Sequence, residues 1–356
     1  MTMIEKEWAE RVRAAAAAKT PLCLRGGGTK DFHGRAPAGE VFDLCANSGV
    51  VAHEPTELVV TVRGGTPLAE LEAVLADKGQ YLAFEPPHFG SGATVAGCVA
   101  AGLPGPRRAS MGTVRDFMLG VKLLDGRGDV LKFGGQVMKN VAGYDVSRLV
   151  AGSLGTLGIM LEVSLKVLPR PVAEATLRFE LDEATALRRL NEWGGQPLPV
   201  SASLWTEGVL HVRLSGAEAA VGAATERLGG ERLDRAEASA LWAAVREQTA
   251  APFACGAGEV LWRVALPGTA PALALGGRQV VEWGGALRWV VAPAGDGHVR
   301  ARAAELGGHA CAFRGGDRGG EVFQPLSAPL ATIHRRLKQA FDPAGIFNPG
   351  RLYAEF

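Results

Sequence analysis

Apolar positions in the first 170 residues alternate between helical and strand spacing. Residues 4–19 are alanine-rich and free of proline and glycine, which predicts a helix. Leu22 to Leu24 predicts a short strand, and the loop RGGGTK opens directly after it. The next segment, KDFHGRAPAGEVFDL, contains Gly34, Pro37 and Gly39, has no helical period, and predicts a loop leading to another strand. LVVTV at 58–62 is β-branched and strand-like. Thr66 and Pro67 read as an N-cap and first helical position; apolar residues at 68, 71, 74 and 75 carry a helix that Gly79 ends. A strand at YLAF, a helix starting near Thr94, and a hairpin over 117–134 turning at Asp125 to Gly128 follow. A short helix from Asp145 to Val150 and a strand at 159–168 complete this half.

Pro169 and Pro171 bracket Arg170 and mark a boundary. Beyond it TLRFEL, VLHVRL, VLWRVAL and LRWVVAP alternate apolar and polar residues, as antiparallel strands do. EATALRRLNEW and ALWAAVREQ between them are helical. The expectation is an α+β domain over 171–327 whose sheet is covered on one face. A last helix at about 329–341 precedes a tail rich in proline and glycine.

Composition changes this picture in one respect. The 356 residues contain 48 glycines, about twice the usual share, clustered in loops. Three clusters lie in the first half, at 26–28, 90–97 and 152–158. Several glycine turns in one unit offer backbone N–H groups to an anion. Neither common phosphate loop fits: a Walker loop and a dinucleotide fingerprint both need a helix after the glycines, and here a loop and a strand follow Lys30. The net charge of +1, from 38 basic and 37 acidic residues, supplies no field for nucleic acid or an anionic membrane. Five scattered cysteines without a CxxC pair argue for reduced thiols in the cytoplasm and against an iron–sulfur cluster held by this chain. No apolar run approaches the ~20 residues that span a bilayer, and the charged N-terminus is not a signal peptide.

Four segments, LRGGGTKDFHG, EPPHFGSGATVAGCVAAG, GTVRDFMLGVKLLDG and LVAGSLGTLGIMLEVSLKV, resemble the PCMH-type FAD-binding family of vanillyl-alcohol oxidase and the D-lactate and glycolate dehydrogenases. EPPHFGSGATVAG, GGQVMKNVAGYDVSRL and FDPAGIFNPGRLY, with WGGALRW and LWRVALP, are more closely similar to the FAD-binding subunits of bacterial glycolate oxidases. The resemblance implies an α+β protein: a two-lobed FAD domain at 1–170 (lobes about 1–55 and 56–170), an antiparallel-sheet cap at 171–327, and a C-terminal segment, 328–356, packing back on the FAD domain. Arg25, Gly26, Gly27, Gly28, Thr29 and Lys30 would cradle the pyrophosphate. Pro86, Gly92, Thr94, Val95 and Gly97 would contact the diphosphate or ribityl chain. Gly152, Ser153, Gly155, Thr156, Gly158 and Ile159 would hold the adenosine side and the flavin edge, with Gly143, Tyr144, Asp145 and Asn348 approaching the cofactor. Some relatives tether flavin through a histidine beside the glycines; Thr29 stands there, so non-covalent FAD is expected.

The implied function is the FAD-binding subunit of a glycolate-oxidising complex. It would work with a second flavin subunit and an iron–sulfur subunit, in the cytoplasm or at the inner membrane face through those partners. A stand-alone dehydrogenase for D-lactate or another 2-hydroxy acid is the alternative, and so is a catalytically silent assembly subunit with structural or no FAD. The sequence names no catalytic base. His88, Lys139, Tyr144, Arg263 and Arg288 are candidates, each with a plain structural explanation beside it: loop, helix cap, or strand packing. Asn140 and His33 stand in the same position. The histidine spacing suggests no metal site.

Overall fold

The computed structural model describes residues 1–135, 145–294 and 297–356. The first half runs α1 (Met3–Ala18), β1 (Leu22–Arg25), β2 (Glu40–Asp43), β3 (Val50–Glu54), β4 (Val59–Arg63), α2 (Leu68–Ala76), β5 (Gln80–Tyr81), α3 (Val95–Ala101), α4 (Arg108–Met111), α5 (Val114–Phe117), β6 (Met118–Leu124), β7 (Val130–Gly134), α6 (Val146–Leu149), β8 (Ile159–Lys166) and β9 (Leu168–Pro169). β1 and β2 pair in parallel, as the loop between them requires. Five strands form a second sheet in the order β3-β4-β8-β6-β7. α2 and α3 close its core through Leu68, Leu71, Leu75, Val95 and Val99, all buried. The helix at 68–76, the hairpin, and the caps Thr94 and Asp145 agree with the sequence expectations.

Two local expectations fail for identifiable reasons. Thr66 does not cap α2: its buried hydroxyl donates to the carbonyls of Arg63 (2.6 Å) and Gly49 (3.2 Å), so Pro67 holds the cap position. The YLAF strand stops at Tyr81, because Glu85 takes a left-handed φ of 45° and Pro86 and Pro87 cannot donate to a ladder.

The second half contains β10 (Ala173–Glu180), α7 (Glu183–Gly194), β11 (Val200–Thr206), β12 (Val209–Gly216), α8 (Glu218–Leu228), β13 (Glu231–Arg232), α9 (Arg235–Glu247), β14 (Glu259–Ala265), β15 (Gln279–Glu282), β16 (Leu287–Pro293), α10 (His298–Glu305) and β17 (His309–Gly315), and α11 (Ala328–Phe341) follows. Eight strands make one antiparallel sheet, ordered β13-β10-β12-β11-β15-β16-β14-β17. The expected single covered face is corrected: both faces are buried. Val290 and Ala292 pack on one side with Val299 and Ala303 of α10. Leu287, Trp289 and Val291 pack on the other with Trp242 of α9 and with Leu103 and Leu154 from the first half. α11 returns to the first half, where buried Lys338 donates to Asp342 (2.7 Å) and to the carbonyls of Thr156 (2.9 Å) and Phe347 (2.6 Å).

Candidate functional site

The loop after β1 meets the second glycine segment backbone to backbone. A Cβ on Gly27 would lie 1.6 Å from the Gly92 carbonyl oxygen, and one on Gly26 would lie 2.4 Å from Thr94 Oγ1. Only glycine permits that approach. Thr94 is also fixed from its own side, accepting the Gly97 N–H at 3.2 Å at the start of α3. The third segment is joined by Asn348, whose Oδ1 accepts from Leu24 N and whose Nδ2 donates to Leu154 O, each at 2.7 Å. A Cβ on Gly155 would sit 2.7 Å from that same amide nitrogen. One side chain from the tail thus ties two glycine segments together.

Between these segments lies a cavity of about 90 Å³. Arg25, Gly26, Gly27, Gly28, Thr29, Lys30, Thr94, Gly97 and Asn348 line it, which brings together nine residues expected from the sequence. Gly92 packs behind Gly27, a residue that lines it. The other expected residues serve different ends. Pro86, Val95 and Ile159 are buried, the last two in cores. Gly152 packs on Gly102, and Gly158 on Leu124. Ser153 and Thr156 are buried and bonded to each other, the Thr156 hydroxyl donating to Ser153 O at 2.8 Å. Asp145 is exposed and caps α6. Lys139, Asn140, Gly143 and Tyr144 lie outside the described residues. Sequence reasoning missed Arg351 and Asp31 as lining residues. Arg351 stands in the quoted motif FNPGRLY, so its signal was present.

The cavity's charges suit an anion. Lys30 Nζ is half-buried, lies 5.7 Å from the Phe89 ring centroid, donates to His88 O (3.1 Å), and forms no salt bridge among the described residues. Burial lowers its pKa. Buried Arg351 donates to the carbonyls of Asp31 (3.0 Å), Lys30 (3.3 Å) and Arg35. Asp31, the acid lining the cavity, is paired with Arg25 at 2.8 Å. A half-buried ammonium with no carboxylate in contact is stabilised by a bound anion. Glycine amides, Lys30 and a volume for several water-sized groups fit a pyrophosphate.

Next to this cavity the two halves meet in an aromatic cluster. Phe32 packs on Phe89 and Phe313 with centroids 5.3 and 5.4 Å apart, and Trp289 on Phe313 at 4.9 Å. His33 is buried against Phe313, its Nδ1 unpartnered, with its pKa pushed down to about 3 by burial and by Arg263, Arg351, Arg318 and Lys30. The remaining crevice, about 20 Å³, is lined by Arg263, Glu282 and Trp283 among others. Glu282 accepts from Trp289 Nε1 at 2.7 Å, and burial lifts its pKa to about 7. Arg263 lies over the Trp283 ring at 5.3 Å. Arg288 is elsewhere: it is fully buried and donates to the carbonyls of Gly285, Ala270 and Pro271, so its donors are spent on the fold. His88 turns to Glu72 at 3.0 Å. No cluster of metal-binding side chains occurs among the described residues.

Residues 4–134 match the family "FAD binding domain", and residues 322–352 match "FAD linked oxidases, C-terminal domain". The glycolate oxidase subunit GlcE of Escherichia coli is 49% identical over 97% of this chain and 96% of its own length. The glycolate oxidase subunit GlcD of Bacillus subtilis is 30% identical over 45% of this chain and 34% of its own. A mitochondrial D-lactate dehydrogenase [cytochrome] of Arabidopsis thaliana is 29% identical over 57% of this chain and 40% of its own. The solved structure of an alkyldihydroxyacetonephosphate synthase superimposes with a TM-score of 0.66 at 15% identity, over 96% of this chain and 73% of that one, a likeness of fold. The FAD-binding fold and the FAD cofactor expected from the sequence are borne out.

Proposed function

The chain belongs to the family of the glycolate oxidase subunit GlcE, and on that premise we propose that it is the FAD-binding subunit of a complex oxidising glycolate to glyoxylate. The full-length likeness to GlcE carries the reading, and the glycine cavity supports it. The amides of Gly26 to Gly28 and the Lys30 ammonium would hold the pyrophosphate, while Asn348 keeps the surrounding loops in register. Thr29 offers no imidazole for a covalent tether, so the flavin is held non-covalently. Bound FAD supplies the two-electron acceptor for the hydroxyl-bearing carbon. A second flavin subunit and an iron–sulfur subunit would be the onward electron acceptors. The division of labour follows 1–170 for FAD, 171–327 for the cap and 328–356 for closure. The proposed place of work is the cytoplasm, where partners could bring the chain to the membrane; none of the described helices is long and apolar enough to cross one.

The size of the crevice favours a second reading, in which the chain alone is catalytically silent. About 20 Å³ beside Arg263 and Glu282 holds a water or two, not a 2-hydroxy acid. Anaerobic visible spectroscopy separates the readings. Glycolate is expected to bleach the flavin of the assembled complex. Bleaching by the isolated chain, with D-lactate as well as glycolate, would instead identify a stand-alone dehydrogenase. Failure of the reconstituted chain to show any flavin spectrum would sink the FAD-subunit reading.

A further inference from the structure

A groove of about 1110 Å³ lies apart from the glycine cavity and shares none of its lining residues. One wall is the start of β10, another runs along α9 from Arg235 to Arg246, and Tyr81, Leu82, Glu85 and Arg107 of the first half add a third. β10 pairs with β12 along its whole length, Ala173 to Glu180. On its opposite side β13 covers Leu177 and Arg178, and Leu233 N donates to Thr176 O at 3.0 Å. Among the described residues no strand pairs with Ala173, Glu174 or Ala175 on that side. An open edge beside a groove is a template for another extended chain.

Charge identifies what that chain carries. Six arginines and four acids line the groove. All four acids are committed within the protein. Glu85 pairs with Arg107 and Arg213, each at 2.8 Å; Glu174 pairs with Arg107; Glu72 bonds His88; Asp234 caps α9. Arg246 is held by Glu247 at 2.9 Å. Arg170, Arg232 and Arg235 are exposed and form no salt bridge among the described residues. The groove therefore presents three uncompensated guanidinium groups beside an unpaired strand edge.

We propose that this groove receives an extended, acidic segment of a partner protein, which adds as a strand to the Ala173–Ala175 edge of β10 and sets its carboxylates against Arg170, Arg232 and Arg235. Main-chain pairing supplies the register, and guanidinium–carboxylate pairs supply the selectivity. Arg246 lines both this groove and the aromatic crevice, so a seated segment lies beside the contact between the two halves. The inference deepens the reading of the chain as a subunit of a complex. FAD binding by the same variants keeps the two separable.

The test uses the full chain with a short fluorescent peptide of alternating glutamate and valine, read by anisotropy. A lysine–valine peptide, inorganic phosphate and a single-stranded oligonucleotide serve as controls. The glutamate peptide is expected to bind in preference to the lysine peptide and to weaken with added salt. Arg232→Glu with Arg235→Glu is expected to lower that affinity at least about tenfold, with FAD binding unchanged; both positions are exposed, so the fold survives. N-methylation of the peptide's pairing amides is expected to abolish binding. Equal binding of both peptides, no effect of the arginine changes, or insensitivity to N-methylation would each overturn the proposal. Displacement by phosphate or the oligonucleotide would overturn it in favour of a phosphate-bearing ligand.

Discussion

The glycine cavity and the aromatic crevice are neighbours built on opposite principles. In the cavity, main chains touch where side chains would collide, as at Gly27 and Gly92, and space is left for a ligand. In the crevice, Phe32, Phe89, Phe313 and Trp289 fill the contact between the two halves with their own rings, and little space remains. The first region is arranged to hold something that the chain does not supply; the second is already complete. Holding a cofactor and turning over a substrate are therefore separable properties in this molecule, and one is far better prepared than the other.

The largest effect should come from spoiling the backbone contact. Gly27→Ala forces a methyl against the Gly92 carbonyl, and FAD affinity is expected to fall at least about a hundredfold, roughly 3 kcal/mol. Flavin fluorescence titration measures it, and an unchanged affinity would remove the cavity from the FAD site. In the crevice, the sensitive quantity is pH. Glu282 has a folded pKa raised from 4.5 to about 7, so the folded state keeps a proton that the unfolded state releases. Its contribution favours folding below pH 4.5 and is lost as pH rises to about 7. Glu282→Gln is expected to gain up to about 3 kcal/mol over the native chain above pH 7 and little below 4.5, by urea unfolding. His33 acts in the opposite sense: buried neutral, it favours folding above pH 6.5 and costs stability as pH falls toward 3.

Asn348→Ala tests the staple between loops. It leaves Leu24 N and Leu154 O without their partner and should cost about 2 kcal/mol of stability, with a severalfold loss of FAD affinity. A stability loss with no change in FAD binding would detach the tail from the site. Smallest should be Asp145→Ala, which removes the cap of α6 at about 1 kcal/mol and leaves FAD binding intact. A large loss of FAD there would place the site closer to α6 than the cavity does.

Local rules made much of the first half legible. Glycine clusters, Thr94 and Asp145 as caps, and the hairpin at Asp125 to Gly128 are decided by neighbouring residues, and the folded chain keeps them. Thr66 was misleading because its local capping preference yields to carbonyls at Gly49 and Arg63 that the sequence does not place beside it. The eight-stranded sheet was read as half-covered because residues such as Arg263 and Arg213 look solvent-facing in an alternating pattern. Both pack inside the molecule instead, Arg263 over Trp283 and Arg213 against Glu85 of the first half. Glu282 could not be singled out, since its raised pKa arises from burial between elements distant in sequence. Arg288 reads like a carboxylate anchor in WGGALRW, yet three backbone carbonyls consume its donors.

The central claim is that the cavity between the glycine segments holds the FAD pyrophosphate, with Lys30 as its cation. Titration of FAD into the isolated chain and into Lys30→Met, followed by flavin fluorescence with thermal unfolding alongside, tests it most directly. The account predicts saturable binding by the native chain, about tenfold weaker binding by the variant, roughly 1.4 kcal/mol, and no loss of thermal stability, because the ammonium removed is half-buried and forms no salt bridge among the described residues. Equal affinity in the two proteins, or no binding by the native chain, would contradict it.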